Sequence, residues 1–174
     1  MDVTTSGIPE LDTITGVGGF PHGSVAELSG LSDVQIGSLA KRISQASSHA
    51  TLFRLHTPDQ IAWLQLEKLL TTGSGALTIL ATDGPSADWI RDPDRVSRIR
   101  GLATEYRTVV FIAIPALIRV TSLTEQLPLG LAAAAGIRIR LSQEQGQEGQ
   151  IVAQVIKNRF AEPYSRATID LPTV

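Results

Sequence analysis

Cysteine is absent from the 174 residues, which excludes disulfides and thiolate metal sites alike. The three histidines, His22, His49 and His56, are too scattered to form a ligand set, so no metal is expected. Long apolar runs are missing as well. The longest, Val109 to Ile118, is broken by Pro115 and falls short of the ~18 residues a membrane span needs, so it reads as a buried strand leading into a turn. The N-terminal MDVTTSGIPELD has neither the basic segment nor the apolar run of a signal peptide, and a cytoplasmic protein is expected. Positive charge is not in excess: the formal net charge is −2 and the isoelectric point near 5.9. That balance argues against a general affinity for nucleic acid, and any DNA contact has to be local. With 43% hydrophobic residues, the chain is long enough for one substantial core, and residues 1–174 are read as one domain. No internal repeat or low-complexity tract is visible.

What is present alternates. After the turn-rich SGIPELDTITGVGGFPHGS, residues 25–28 read as a strand and 34–46 as a helix, on which Ile36, Leu39, Ala40 and Ile43 recur at the spacing of a buried face. A strand follows at 51–56. A helix then starts at Pro58 with Thr57 as its cap, and Ile61, Leu64, Leu66, Leu69 and Leu70 give it a mostly apolar face. Gly73 to Gly75 ends it. A third strand at 76–81 leads to a helix over 93–106, capped by Asp92, with Val96, Ile99, Leu102, Ala103 and Tyr106 facing inward. Residues 108–114 form a fully buried strand, and 137–141 and 150–156 two more, joined by the polar SQEQGQEG. Early alternation and a late hairpin predict an α/β fold: a mixed, mostly parallel sheet with a C-terminal antiparallel hairpin and helices on both faces.

The most telling absence is a lysine. A strand, then Gly30, then a helix is the setting in which GxxxxGK[ST] cradles phosphate: backbone N–H groups and the helix N-terminus attract the anion, lysine reaches the terminal phosphates, and a hydroxyl holds magnesium. Counted from Gly30, the last three places fall on Gln35, Ile36 and Gly37. Gln35 has a side chain where backbone should approach the ligand, Ile36 has no charge, and Gly37 has no oxygen. Losing one charged hydrogen bond costs roughly 1.5–3 kcal/mol, or about one to two decades in affinity. No catalytic residue and no cofactor are therefore expected, with ATP and magnesium disfavoured. Ile36 itself reads as a core residue, and Lys41 lies a full turn too deep to replace the missing lysine.

Three stretches carry a family resemblance. TSGIPELDTITGVGGFPHGSVAELSG resembles the opening of the ATPase core of RecA-type recombinases and their KaiC-like relatives. GLAAAAGIRIRL, residues 130–141, resembles that family's glycine-led stretch running into an arginine-bearing strand, and QVIKNRFAEPY, residues 154–164, its lysine-rich strand and proline turn. The resemblance implies a RecA-like three-layer core without further domains. It maps the second nucleotide motif onto LTILATD and Asp83, an aspartate that before Gly-Pro is also an ordinary turn residue. It puts His56 where the family has a catalytic glutamate, and Ala113 and Ile114 where it has a polar sensing pair. Lys157 and Arg159 fall where filament-forming relatives reach the nucleotide of the adjacent subunit, which makes them candidates for contact with a partner; alternating cations on a strand also serve solubility.

Arg91, Arg95 and Arg98 form a ridge, the one candidate for a local DNA contact. Asp88, Asp92 and Asp94 interleave it and no aromatic residue stands there for stacking, so it reads first as a solvated charged face. Among relatives the chain most resembles ImuA-type accessory proteins of translesion synthesis. That implies a catalytically inactive core acting by protein contacts in DNA repair and the SOS response, with a RecA filament or an error-prone polymerase subunit as partner. Self-association through an edge strand is compatible with it. The alternatives are a divergent DNA-stimulated ATPase and a SulA-like inhibitor of cell division.

Overall fold

The computed structural model describes residues 1–55, 60–71, 73, 75–82, 89–90, 92–116, 129–144, 146 and 148–171. Nine strands and five helices are described: β1 (Val3–Thr4), α1 (Pro9–Thr13), β2 (Phe20–Pro21), β3 (Val25–Ser29), α2 (Asp33–Ala46), β4 (Ala50–Leu55), α3 (Gln60–Leu70), β5 (Leu77–Thr82), α4 (Pro93–Tyr106), β6 (Val109–Ile114), α5 (Leu129–Ala134), β7 (Ile137–Ser142), β8 (Gln150–Asn158) and β9 (Arg166–Asp170).

Seven strands form one sheet in the order β4-β5-β6-β3-β7-β8-β9, while β1 and β2 pair separately. In that order the strands from β4 through β7 run parallel, β8 runs antiparallel to β7, and β9 runs antiparallel to β8. β5 and β6 are buried along their whole length, as strands covered on both faces must be. One face packs Leu28, Ile79, Phe111, Ile139 and Val155 against Leu11 of α1 and Ile36, Leu39 and Ile43 of α2. The other packs Leu80, Val110 and Ile112 against Leu66 of α3, Ile99 of α4 and Leu131 of α5. The mostly parallel α/β sheet with helices on both faces and a C-terminal hairpin is the architecture the periodicity predicts.

Three expectations need correction. Ile61 and Leu64 do not line a buried face of α3: they are 69% and 56% exposed, and Leu66 and Leu70 are the buried pair. Tyr106 ends α4 partly exposed rather than facing inward. Residues 129–134 are helical and 166–170 form a seventh strand of the sheet, neither of which the sequence reading marks. The cap and start of α3 expected at Thr57 and Pro58 lie outside the described residues. No described helix is long and apolar enough to cross a membrane.

Candidate functional site

β3 lies between β6 and β7, so its C-terminal end opens at the middle of the sheet, where parallel α/β folds place ligands. Only Gly30, Leu31 and Ser32 separate β3 from α2. Gly30 has φ +112°, and a Cβ there would collide with the Leu141 carbonyl oxygen at the end of β7. Leu31 is buried, and its carbonyl accepts the Ala116 N–H at 2.6 Å, which ties the turn to the chain leaving β6.

Ser32 is the N-cap of α2. Its Oγ accepts the Gln35 N–H at 3.4 Å, while Gln35 Oε1 accepts the Ser32 N–H at 3.3 Å, a reciprocal capping box. Gln35 Nε2 donates to Gln143 Oε1 at 2.6 Å, across to the segment that follows β7. Asp33 puts a carboxylate in the first turn, where the helix dipole favours negative charge. The three places counted from the phosphate motif thus lie inside the helix: Gln35 in the cap, Ile36 3% exposed in the core, and Gly37 with open space around it. Two of the N–H groups a phosphate would need are engaged within the protein, and an approaching phosphate meets Asp33.

On the other face, β3 carries a fully buried carboxylate, Glu27. Arg138 of β7 grips it with Nε to Oε2 at 2.6 Å and Nη2 to Oε1 at 3.4 Å, and Ser29 Oγ donates to Oε1 at 2.8 Å. An isolated buried carboxylate is prohibitively costly; a fork of two guanidinium N–H groups plus a hydroxyl makes it tolerable. Sequence reasoning missed this pair. Its only trace is a glutamate inside an otherwise apolar strand.

Lys157, opposite Arg138 in the β7–β8 ladder, donates Nζ to the Ala132 carbonyl at 2.5 Å, and Arg159 donates Nη2 to the Ala133 carbonyl at 2.6 Å. The two cations thereby cap the C-terminal turn of α5, the end at which a helix dipole favours positive charge. Burial pushes the Lys157 amine down, and the neighbouring Arg159, Arg138 and Arg100 push the same way against Glu27. The described arginines of the α4 ridge are both engaged: Arg95 with Asp92 at 3.4 Å and over the Trp63 ring, and Arg98 with Glu67 at 3.0 Å. Asp83, Arg91, Asp88 and His56 lie outside the described residues. Among those described, no cluster of histidine and carboxylate side chains could hold a metal. Ala113 and Ile114 end β6 as buried residues.

With this geometry in hand, comparison with solved structures finds the crystal structure of the RadB recombinase. The two agree with a TM-score of 0.70 over 95% of this chain and 94% of that one, at 15% sequence identity. The fold is RecA-like. At that identity the likeness fixes the RecA-like architecture and no more, and neither a family model nor a curated protein matches the sequence.

Proposed function

We propose that this RecA-like chain neither binds nor turns over ATP and acts through protein contacts as an accessory of DNA repair, in the SOS damage response and translesion synthesis. The observation that supports it most directly is the three-residue β3–α2 turn, whose helix is capped by its own Ser32 and Gln35 and carries the carboxylate of Asp33 in its first turn. No lysine stands at the turn, its one hydroxyl, Ser32, caps α2, and positions 36 and 37 are isoleucine and glycine. A cytoplasmic partner is proposed, either a RecA filament or an error-prone polymerase subunit.

The test is calorimetric titration of the full chain with ATP and magnesium to millimolar concentration, with and without single-stranded DNA, followed by binding to a RecA filament and to a translesion polymerase subunit. The reading expects no heat from nucleotide and saturable binding to one of the two proteins. Saturable nucleotide heat or turnover would sink it in favour of a DNA-stimulated ATPase, and binding to a tubulin-like division protein alone would favour a SulA-like inhibitor.

A further inference from the structure

The seven-stranded sheet has two edges, β4 and β9, and the protein treats them differently. The N–H and C=O groups of a free edge template another strand, and natural folds guard against this with charge or a covering element. β9 is guarded. α1 packs against it, Arg166 and Asp170 stand at its two ends, and Arg42 of α2 reaches across to donate to the Asp170 carbonyl.

β4 has no such guard. Among the described residues no strand pairs with its outer side, and its six residues, ATLFRL, hold a single charge, Arg54. Both cores come to the surface here: Ala50 and Leu52 are half-buried against the core under α2, and Phe53 and Ala62 against the core under α3. β5 and β6, each with a strand on both sides, are buried throughout. A strand that completes the β4 edge must therefore turn apolar side chains to both faces of the sheet, as an interior strand does.

Within this chain β4 is itself a strand of that kind, and it is the one left open. A second copy brings it in antiparallel about a two-fold axis, so that each open edge closes the other. When the two sheets share faces, the axis passes through Leu52 or through Phe53. In the first register Arg54 stands opposite Ala50 of the second copy and in the second opposite its Leu52, so like charges do not meet across the ladder. α3 then lies beside α3 of the second copy. Its sheet side holds Leu66 and Leu70, and its α4 side holds Trp63 under Arg95 and Glu67 paired with Arg98. The side left for the edge carries Ile61, Gln65 and Leu69 at i, i+4 and i+8, without a charge, and Ile61 is 69% exposed. We propose that the chain forms a two-fold dimer through β4, with α3 packed on α3, which joins the two sheets into one. The dimer is independent of the nucleotide question and of the partners proposed above.

Sedimentation of the full chain from about 1 to about 200 µM tests it. One strand and one helix side per copy make a contact at the small end of specific interfaces, about 1,200 Å² in total, so a Kd of roughly 1–100 µM is expected. Thr51 is exposed on β4. Thr51→Lys puts there the residue by which edge strands are kept apart; it should weaken the dimer about tenfold or more and leave the melting temperature of the dilute protein within about 2 °C of the wild type. The absence of cysteine allows a second test that adds no charge and stays decisive if Thr51→Lys folds poorly. Identical residues facing each other at the axis have Cα atoms about 4.5–5.5 Å apart, within reach of a disulfide. Under air and copper-phenanthroline, either Leu52→Cys or Phe53→Cys is expected to give a covalent dimer, and Thr168→Cys, exposed on the guarded β9, to remain a monomer. A chain that stays monomeric to the highest concentration leaves the edge to a strand of another protein and overturns the proposal. So does a dimer that Thr51→Lys leaves intact, or crosslinking as fast at 168 as at 52 and 53.

Discussion

Asp12 sits under the Ser6–Gly7 turn, 8% exposed, with Oδ1 accepting the Ser6 N–H at 2.7 Å. Burial raises its carboxyl pKa above the ordinary 3.8, and the hydrogen bonds from Ser6 and Gly7 recover only part of that shift. A carboxyl whose pKa is raised by folding binds its proton more tightly in the native state. Its contribution is therefore most favourable below the unfolded pKa and is lost as pH rises through the folded one. We expect the stability of the wild type relative to Asp12→Asn to decline as pH rises from 3 to 7, measured by urea unfolding across that range; a flat difference would contradict it. Gly30 is the second residue with a sharp consequence. Gly30→Ala adds a Cβ against the backbone oxygen of Leu141 at φ +112° and should cost about 2–4 kcal/mol in the same assay. At this scale the sequence was readable where periodicity and burial agree. Ile36, Leu39, Ala40 and Ile43 are all in the core. It misled at Ile61 and Leu64, because a row of leucines does not say which side of a helix faces the sheet. Gly30 was legible as a special position but for another reason: a glycine looks the same whether phosphate or a neighbouring strand needs the space.

Among the elements, α4 was the most legible. Its bounds, Pro93–Tyr106, and its cap, Asp92, follow from a proline at the first helical position behind a capping aspartate. α2 is capped just as locally, but its meaning shifts with the cap. Ser32 and Gln35 form the capping box, which places Gln35 at the third helical position instead of in a phosphate loop. Ser32→Ala should destabilise the protein by about 1 kcal/mol and speed amide exchange in residues 33–36, with little change elsewhere. Unchanged exchange there would mean the turn is held by Leu31 and Ala116 alone. α5 was missed because nothing local specifies it: it has six residues and no polar face, and the carbonyls of Ala132 and Ala133 are satisfied by Lys157 of β8 and Arg159 just after it. β9 was missed although RATID alternates, with Ala167 and Ile169 on the core side. Five residues with three polar side chains resemble a loop when nothing shows the strand beside them.

At the scale of the molecule, the order of strands is set by crossovers that local pattern does not encode, and it was the stretches around Gly30, Ile137 and Lys157 that pointed to a RecA-like arrangement. That arrangement puts β3 between β6 and β7, inside the parallel part of the sheet, with the antiparallel β8 and β9 beyond β7. The Glu27–Arg138 pair joins β3 to the neighbouring parallel strand β7 under the helices of the second face. A buried pair of this kind is expensive to break and contributes little when intact, because desolvation offsets most of the attraction. Arg138→Met alone should therefore cost about 3–5 kcal/mol, since it leaves the Glu27 carboxylate buried without its partner, and Glu27→Leu alone should cost less, since the Arg138 side chain is 18% exposed and reaches water. The double variant should recover to within about 1–2 kcal/mol of the wild type, since two apolar side chains of similar volume remove both charges at once. A double-mutant cycle in urea reads the coupling directly. Strict additivity would show that the two residues stabilise separate parts of the sheet. Coupling of several kcal/mol would show that the parallel neighbours β3 and β7 are joined electrostatically along β3, the strand whose end carries the site.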